Sequence, residues 1–191
     1  MASSFWSNVS LPTAVFTSPI AAIVTPAVAG AAIGYGTTKL FNTKNTYRSL
    51  RQPPGSPPGW LFGPVWTMLY GTMGYASYRA TTAGLSSPSS LVRHVAHDSQ
   101  GLYTVQLAAN LLWMPLFFGL RKPVLSLVDI ALQAGMAVGL AYNYYRIDDV
   151  APWLVVPYLG WLGYASYLNF GVGYLNGWDI SEEAVERRKK E

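Results

Sequence analysis

The chain contains no cysteine. Disulfides, thiolate metal sites and cysteine nucleophiles are excluded outright. Charge is scarce: 12% of its 191 residues are Asp, Glu, Lys or Arg, about half the share of a soluble domain. Met1–Ser18 carries no charged side chain at all. A secretory signal opens on a basic region, and a mitochondrial transit peptide is Arg-rich. Neither pattern is present, so the first apolar span is expected to serve as the targeting signal as well. No Walker loop, dinucleotide fingerprint or nucleophile elbow appears. Ser, His and Asp occur, but nothing in their spacing brings them together, and no enzyme activity is expected from them.

What is present is apolar. Residues of this kind make up 51% of the chain, and the mean hydropathy is +0.21. The richest stretch is Trp60–Arg79, WLFGPVWTMLYGTMGYASYR, whose only charge is the final arginine. Five such segments follow one another, at about 19–40, 60–82, 101–120, 124–145 and 152–175. Each approaches the roughly 20 residues that an apolar helix needs to span a bilayer. In lipid every backbone group must be bonded internally, and the short alternating segments of a barrel are absent. The expected fold is therefore all-α, an integral membrane bundle of five transmembrane helices. Its domain covers residues 19–176, with an N-terminal segment at 1–18 and a charged tail at 177–191. Pro26, Pro115 and Pro157 are expected to kink or start helices. Gly30-x-x-x-Gly34 and Ala131-x-x-x-Gly135-x-x-x-Gly139 offer small-residue faces, either for a homodimer or for packing within the bundle.

The loops carry the rest of the message. Asn42–Gly59, with its PPGSPPG run, reads as a stiff crossover, since proline fixes φ. Gly84–Ser99 reads as a Ser-rich loop and the tail as a solvated helix. The pI near 9.3 could suggest nucleic acid, but the cations lie in short loops and the tail, not on one face. Five spans would put ten of the thirteen Lys and Arg residues on the side of the 42–59 loop, the 121–122 turn and the tail. Arg79, Arg93 and Arg146 fall on the other side. The positive-inside rule then makes the C-terminus cytosolic. Asn8-Val9-Ser10 matches a glycosylation acceptor, a short match of little weight.

Few residues could carry chemistry. Asp129 is the acidic group inside a span and needs a partner there; Arg121 and Lys122 lie two turns away. Asn110, Asn143 and Asn169 are amides suited to binding helices together, and Asn110 shares a face with Trp113. Trp60, Trp153 and Trp178 sit where an interfacial aromatic belt is expected. Trp66, Trp113 and Trp161 lie deeper, and three indoles from three helices could line one cavity. His94 and His97, beside Asp98, have helical spacing for a metal but sit in a polar loop with no fourth ligand.

The motifs together are specific. They are Pro26 with Gly30 and Tyr35, the run from Pro57 to Tyr78, Asn110 and Trp113 followed by LFFGLRKP, Asp129, and PYLGWLGYASYLN from Pro157 to Asn169. On them the chain resembles the tryptophan-rich sensory protein and translocator protein (peripheral benzodiazepine receptor) family. The resemblance implies a five-helix bundle, often dimeric, with a pocket closed by the first loop, typical in eukaryotes of the outer mitochondrial membrane. It implies binding or transport of porphyrins, haem, and sterols or other lipids, with no obligatory cofactor. The family pocket would fall on Gly34, Thr37, Phe62, Gly63, Val65, Trp66, Asn110, Trp113, Leu116, Leu120, Trp161, Ala165 and Leu168. Light-dependent porphyrin degradation, as in some bacterial relatives, would involve Trp66 and Trp161. The remaining alternative is a membrane interaction scaffold. The animal sterol motif is incomplete here: Phe170 and Tyr174 follow Leu168, but no basic residue comes before Arg187.

Overall fold

The computed structural model describes residues 9–190. Asn8 of the glycosylation tripeptide lies outside the described residues. Within them the chain is all-helical, with eight α-helices. A short α1 (Thr13–Thr17) precedes α2 (Pro19–Phe41), whose first turn is capped by the Ser18 hydroxyl accepting from Ala21 N–H at 3.3 Å. Pro19 sits at the helix start, where its missing N–H costs nothing. Then come α3 (Thr43–Ser49), α4 (Phe62–Leu85) and α5 (Ser90–Met114). They are followed by α6 (Pro123–Tyr145), α7 (Ala151–Leu175) and α8 (Glu182–Lys190).

The third long helix starts earlier than its apolar segment suggests. The Ser89 hydroxyl accepts from Val92 N–H, and Val95, Ala96 and Ser99 already face the core. The Ser-rich loop therefore shrinks to a few residues, and His94 and His97 are helical. His94 faces Asp98 at 3.5 Å one turn on. Among the described residues no group of three or more metal-ligating His, Asp or Glu side chains assembles. At the other end of α5, Pro115 opens a single π-helical turn over Pro115–Gly119. The chain then reverses through Arg121, which adopts φ 55°.

Among the described residues three helical units are long and apolar enough to cross a membrane: Pro19–Phe41, Ser90–Gly119 and Pro123–Tyr145. α4 and α7 match them in length, with 24 and 25 residues, and are richer in Tyr, Trp and Gly. The long helices close a ring in the order α2, α4, α7, α6, α5. Exposed Val24, Val28, Leu132, Val138, Val156 and Phe170 coat its outside.

Close backbone approach draws α2 and α4 together at one end. A Cβ added to Gly74 would collide with the Ala22 carbonyl, and one at Gly30 would strike the Tyr70 ring. At that end Phe16 is fully buried and meets Tyr103 edge-on at 5.7 Å. Tyr144 and Leu140 complete the core there. Arg79 staples the α6–α7 turn, with Nη2 2.9 Å from Asp148 Oδ2. Burial pushes the Asp148 carboxyl up. The Arg79 hydrogen bonds, the Ala151 and Val150 N–H groups and the Arg79 charge outweigh that and hold it below the usual carboxylate range.

The tail is not a solvated helix. Ile180 is fully buried, and Val185 of α8 packs with Leu50, Phe117, Phe118 and Val172. Arg121 pairs with Glu182 and donates to the Ile180 carbonyl, so it is not the partner of Asp129. Ala131 and Gly135 face outward, and Gly139 meets Leu102 of α5.

Candidate functional site: a roofed cavity in the bundle

At the end opposite the packed core the helices part around a cavity of about 440 Å³. That size lies within the ordinary range of ligand pockets. α2, α4, α5 with its π turn, and α7 supply the walls. The roof is the 42–59 segment, held to α7 at several points. Tyr164 and Tyr167 hydroxyls donate to the Gly55 and Pro54 carbonyls at 2.7 and 2.8 Å. Asn176 accepts from Arg51 N–H and donates to Arg51 C=O, at 3.2 and 2.9 Å. Pro53 lies on Gly171, where any Cβ would overlap the proline ring. Tyr47 closes the loop on itself by donating to the Pro57 carbonyl at 2.8 Å.

A buried polar network forms the floor. Tyr70 donates to Asn110 Oδ1 at 2.7 Å, and Asn110 Nδ2 donates to Gln133 Oε1 at 3.0 Å. Tyr158 donates to the same Gln133 oxygen at 2.8 Å and accepts from Gln106. Gln133 Nε2 completes the chain on Asp129 Oδ2 at 2.6 Å. The partner of Asp129 is thus a neutral amide one turn along its own helix. Four helices contribute, and each buried donor finds an acceptor, which is what makes such a network stabilising. Asn169 accepts from Trp113 Nε1 at 3.3 Å and donates to the Pro123 carbonyl at 2.7 Å, tying α5 and α7 to the start of α6.

Eight of the thirteen sequence candidates line the cavity: Gly34, Phe62, Gly63, Trp66, Asn110, Trp113, Ala165 and Leu168. Thr37 is buried beside it, Val65 packs into the main core, Leu116 sits half-buried in the π turn, and Leu120 points outward. Trp161 stands behind the wall, edge-on to Phe62 at 6.0 Å and to Trp66 at 6.2 Å. Two indoles, not three, face the cavity.

These wall and floor residues fall in a stretch with known relatives. The family described as TspO/MBR family matches residues 22–175, most of the chain and every wall of the cavity. The chain belongs to the TspO/MBR family. It is 41% identical over 145 residues to the translocator protein homolog of Schizosaccharomyces pombe, covering 76% of this chain and 86% of that relative. It is 40% identical over 134 residues to the translocator protein of Homo sapiens, covering 69% and 76%. It is 39% identical over 131 residues to the tryptophan-rich protein TspO of Archaeoglobus fulgidus, covering 68% and 79%. The protein is therefore a membrane protein of the TspO family.

Several cavity residues of this TspO member escaped the sequence reading. Tyr70 looked like one aromatic among many; its helical spacing from Trp66 was the available signal, and their rings lie 5.6 Å apart. Phe117 and Phe118 face inward because the π turn rotates them, a feature with no sequence period. Lys44 is the one charged side chain in the lining and stands exposed at the mouth.

Proposed function

We propose that the protein binds porphyrins (protoporphyrin or haem), sterols or other lipids inside a bundle of five transmembrane helices, without an obligatory cofactor. The cavity carries this reading. Its walls present Trp66, Trp113, Phe62 and Phe117 for a flat ring to stack on. Lys44 at the rim suits a ligand carboxylate. The incomplete basic motif after Tyr174 favours the cavity over that site for sterols too. The cation distribution supports a cytosolic C-terminus. The family resemblance motivates the outer mitochondrial membrane as the proposed location. The outward-facing Ala131 and Gly135 suit a close contact between two copies.

Protoporphyrin quenching of tryptophan fluorescence in detergent tests the reading. Trp66→Phe and Trp113→Phe should weaken binding by about threefold to tenfold, the range of one lost aromatic contact. Trp161→Phe, behind the wall, should weaken it less. If all three leave affinity unchanged, the cavity is not the binding site.

A further inference from the structure

The roof over the cavity is fastened down, while one of its side walls is incomplete. α2 and α4 touch where Gly74 meets Ala22 and Gly30 meets Tyr70. Toward the roof they separate. Ala31 and Tyr35 on α2, and Gly63 and Thr67 on α4, line the cavity and are themselves exposed. Tyr35 keeps 68% of its surface accessible. A Cβ added to Gly63 would meet nothing within 4 Å. A slot thus runs from the cavity to the outside of the bundle. The surface around it carries exposed Val28, Ile33 and Leu40, which in a membrane protein meets hydrocarbon.

The rim of this slot is cationic. Lys39 lies over the Tyr35 ring with Nζ 5.5 Å from its centroid, and Lys44 stands at the mouth. Among the described residues no Asp or Glu lines the cavity. Long lysine stems near a helix end carry their ammonium groups to the headgroup level.

We propose that the cavity is loaded sideways from the bilayer, through the slot between α2 and α4, by a flat amphiphile with an anionic head. The head stays at the interface beside Lys39 and Lys44 while the apolar body slides between Tyr35 and Gly63. The fastened roof does not need to open. This proposal rests on the ligand-binding reading above and adds the route of entry.

The absence of native cysteine makes a direct test possible. The full chain carrying Ala31→Cys and Thr67→Cys, in phosphatidylcholine nanodiscs, is bridged with a bismaleimide containing a reducible disulfide. Stopped-flow tryptophan quenching by protoporphyrin is then followed. Bridging should slow association and dissociation alike, by about tenfold or more, leaving Kd near its original value. Reduction of the bridge should restore both rates. Unchanged rates after complete bridging overturn the side entry and leave the binding reading intact. Absence of quenching in the unbridged chain overturns both. Lys39→Glu with Lys44→Glu should slow protoporphyrin association about threefold to tenfold, as rim charges do, and leave its dimethyl ester unaffected. Equal slowing of acid and ester overturns the role of the anionic head.

Discussion

The two ends of this bundle are built from the same helices and do opposite things. At one end α2 and α4 meet where Gly74 lies against Ala22, and Phe16, Tyr103 and Tyr144 fill the space between helices. At the other end the same pair separates and a cavity remains. The packed end is sealed by side chains and by the Arg79–Asp148 staple; the hollow end is closed by the 42–59 loop. Tight packing at one end leaves no freedom to collapse at the other, because each helix is a rigid rod about 1.5 Å long per residue. The difference suggests that stability and binding are divided along the helix axes.

Substitutions can break or sharpen that division. The largest effect is expected at the packed end, from Gly74→Val. The added side chain has only backbone in front of it, so the helices must separate; a loss of about 3 kcal/mol is expected, at the upper end of overpacking costs. Thermal unfolding in detergent should register it, and an unchanged melting temperature would refute the close approach. Asn110→Ala comes next, since it strips the floor network and leaves Tyr70 without its acceptor. About 1–3 kcal/mol should be lost, together with ligand affinity, because Asn110 belongs to both ends of the division.

The staple is worth less. Arg79 keeps 32% of its side-chain surface exposed, so solvent screening limits Asp148→Asn to about 1 kcal/mol or below. Its pH signature is more telling. The folded carboxyl titrates below the ordinary value of 3.8. Its contribution is therefore complete above that value and is lost as pH falls through the lower folded one. The gap in melting temperature between the native chain and Asp148→Asn should be constant near neutrality and shrink below about pH 4. A gap that widens on acidification would contradict the pairing. Smallest of all, Tyr164→Phe and Tyr167→Phe each remove one exposed roof bond, at the low end of a hydrogen bond's net worth, about 0.5 kcal/mol. Amide exchange in residues 50–59 should rise locally while the melting temperature hardly moves, and a global destabilisation would mean that the roof belongs to the core.

Much of the helical order was legible from residue chemistry. Long apolar runs can only be helices in lipid, and the first span, expected from residue 19, begins there in the structure. The start of α5 was hidden because its first three turns are polar outside and small inside. The docking of α8 was hidden as well. Its charged residues give a solvated appearance, and only Ile180 and Val185 reach the cluster beneath the roof. In the site, Trp66, Trp113 and Asn110 stood out by residue type. Trp161 stood out equally and yet lies one layer back, since a helix angle of a few tens of degrees decides which indole faces inward.

The sequence by itself determined that the chain is helical and that it belongs in a membrane. Those properties follow from composition and backbone hydrogen bonding, and neighbours in space do not alter them. It also determined the family. Only the tertiary structure decided that α2 and α4 touch at one end and part at the other. It alone decided that Asp129 leans on Gln133 and not on Arg121, and that the tail packs against the π turn and the end of the roof segment. These are contacts between residues far apart in the chain. They depend on the rotation and tilt of rigid helices, which no local pattern of residues encodes.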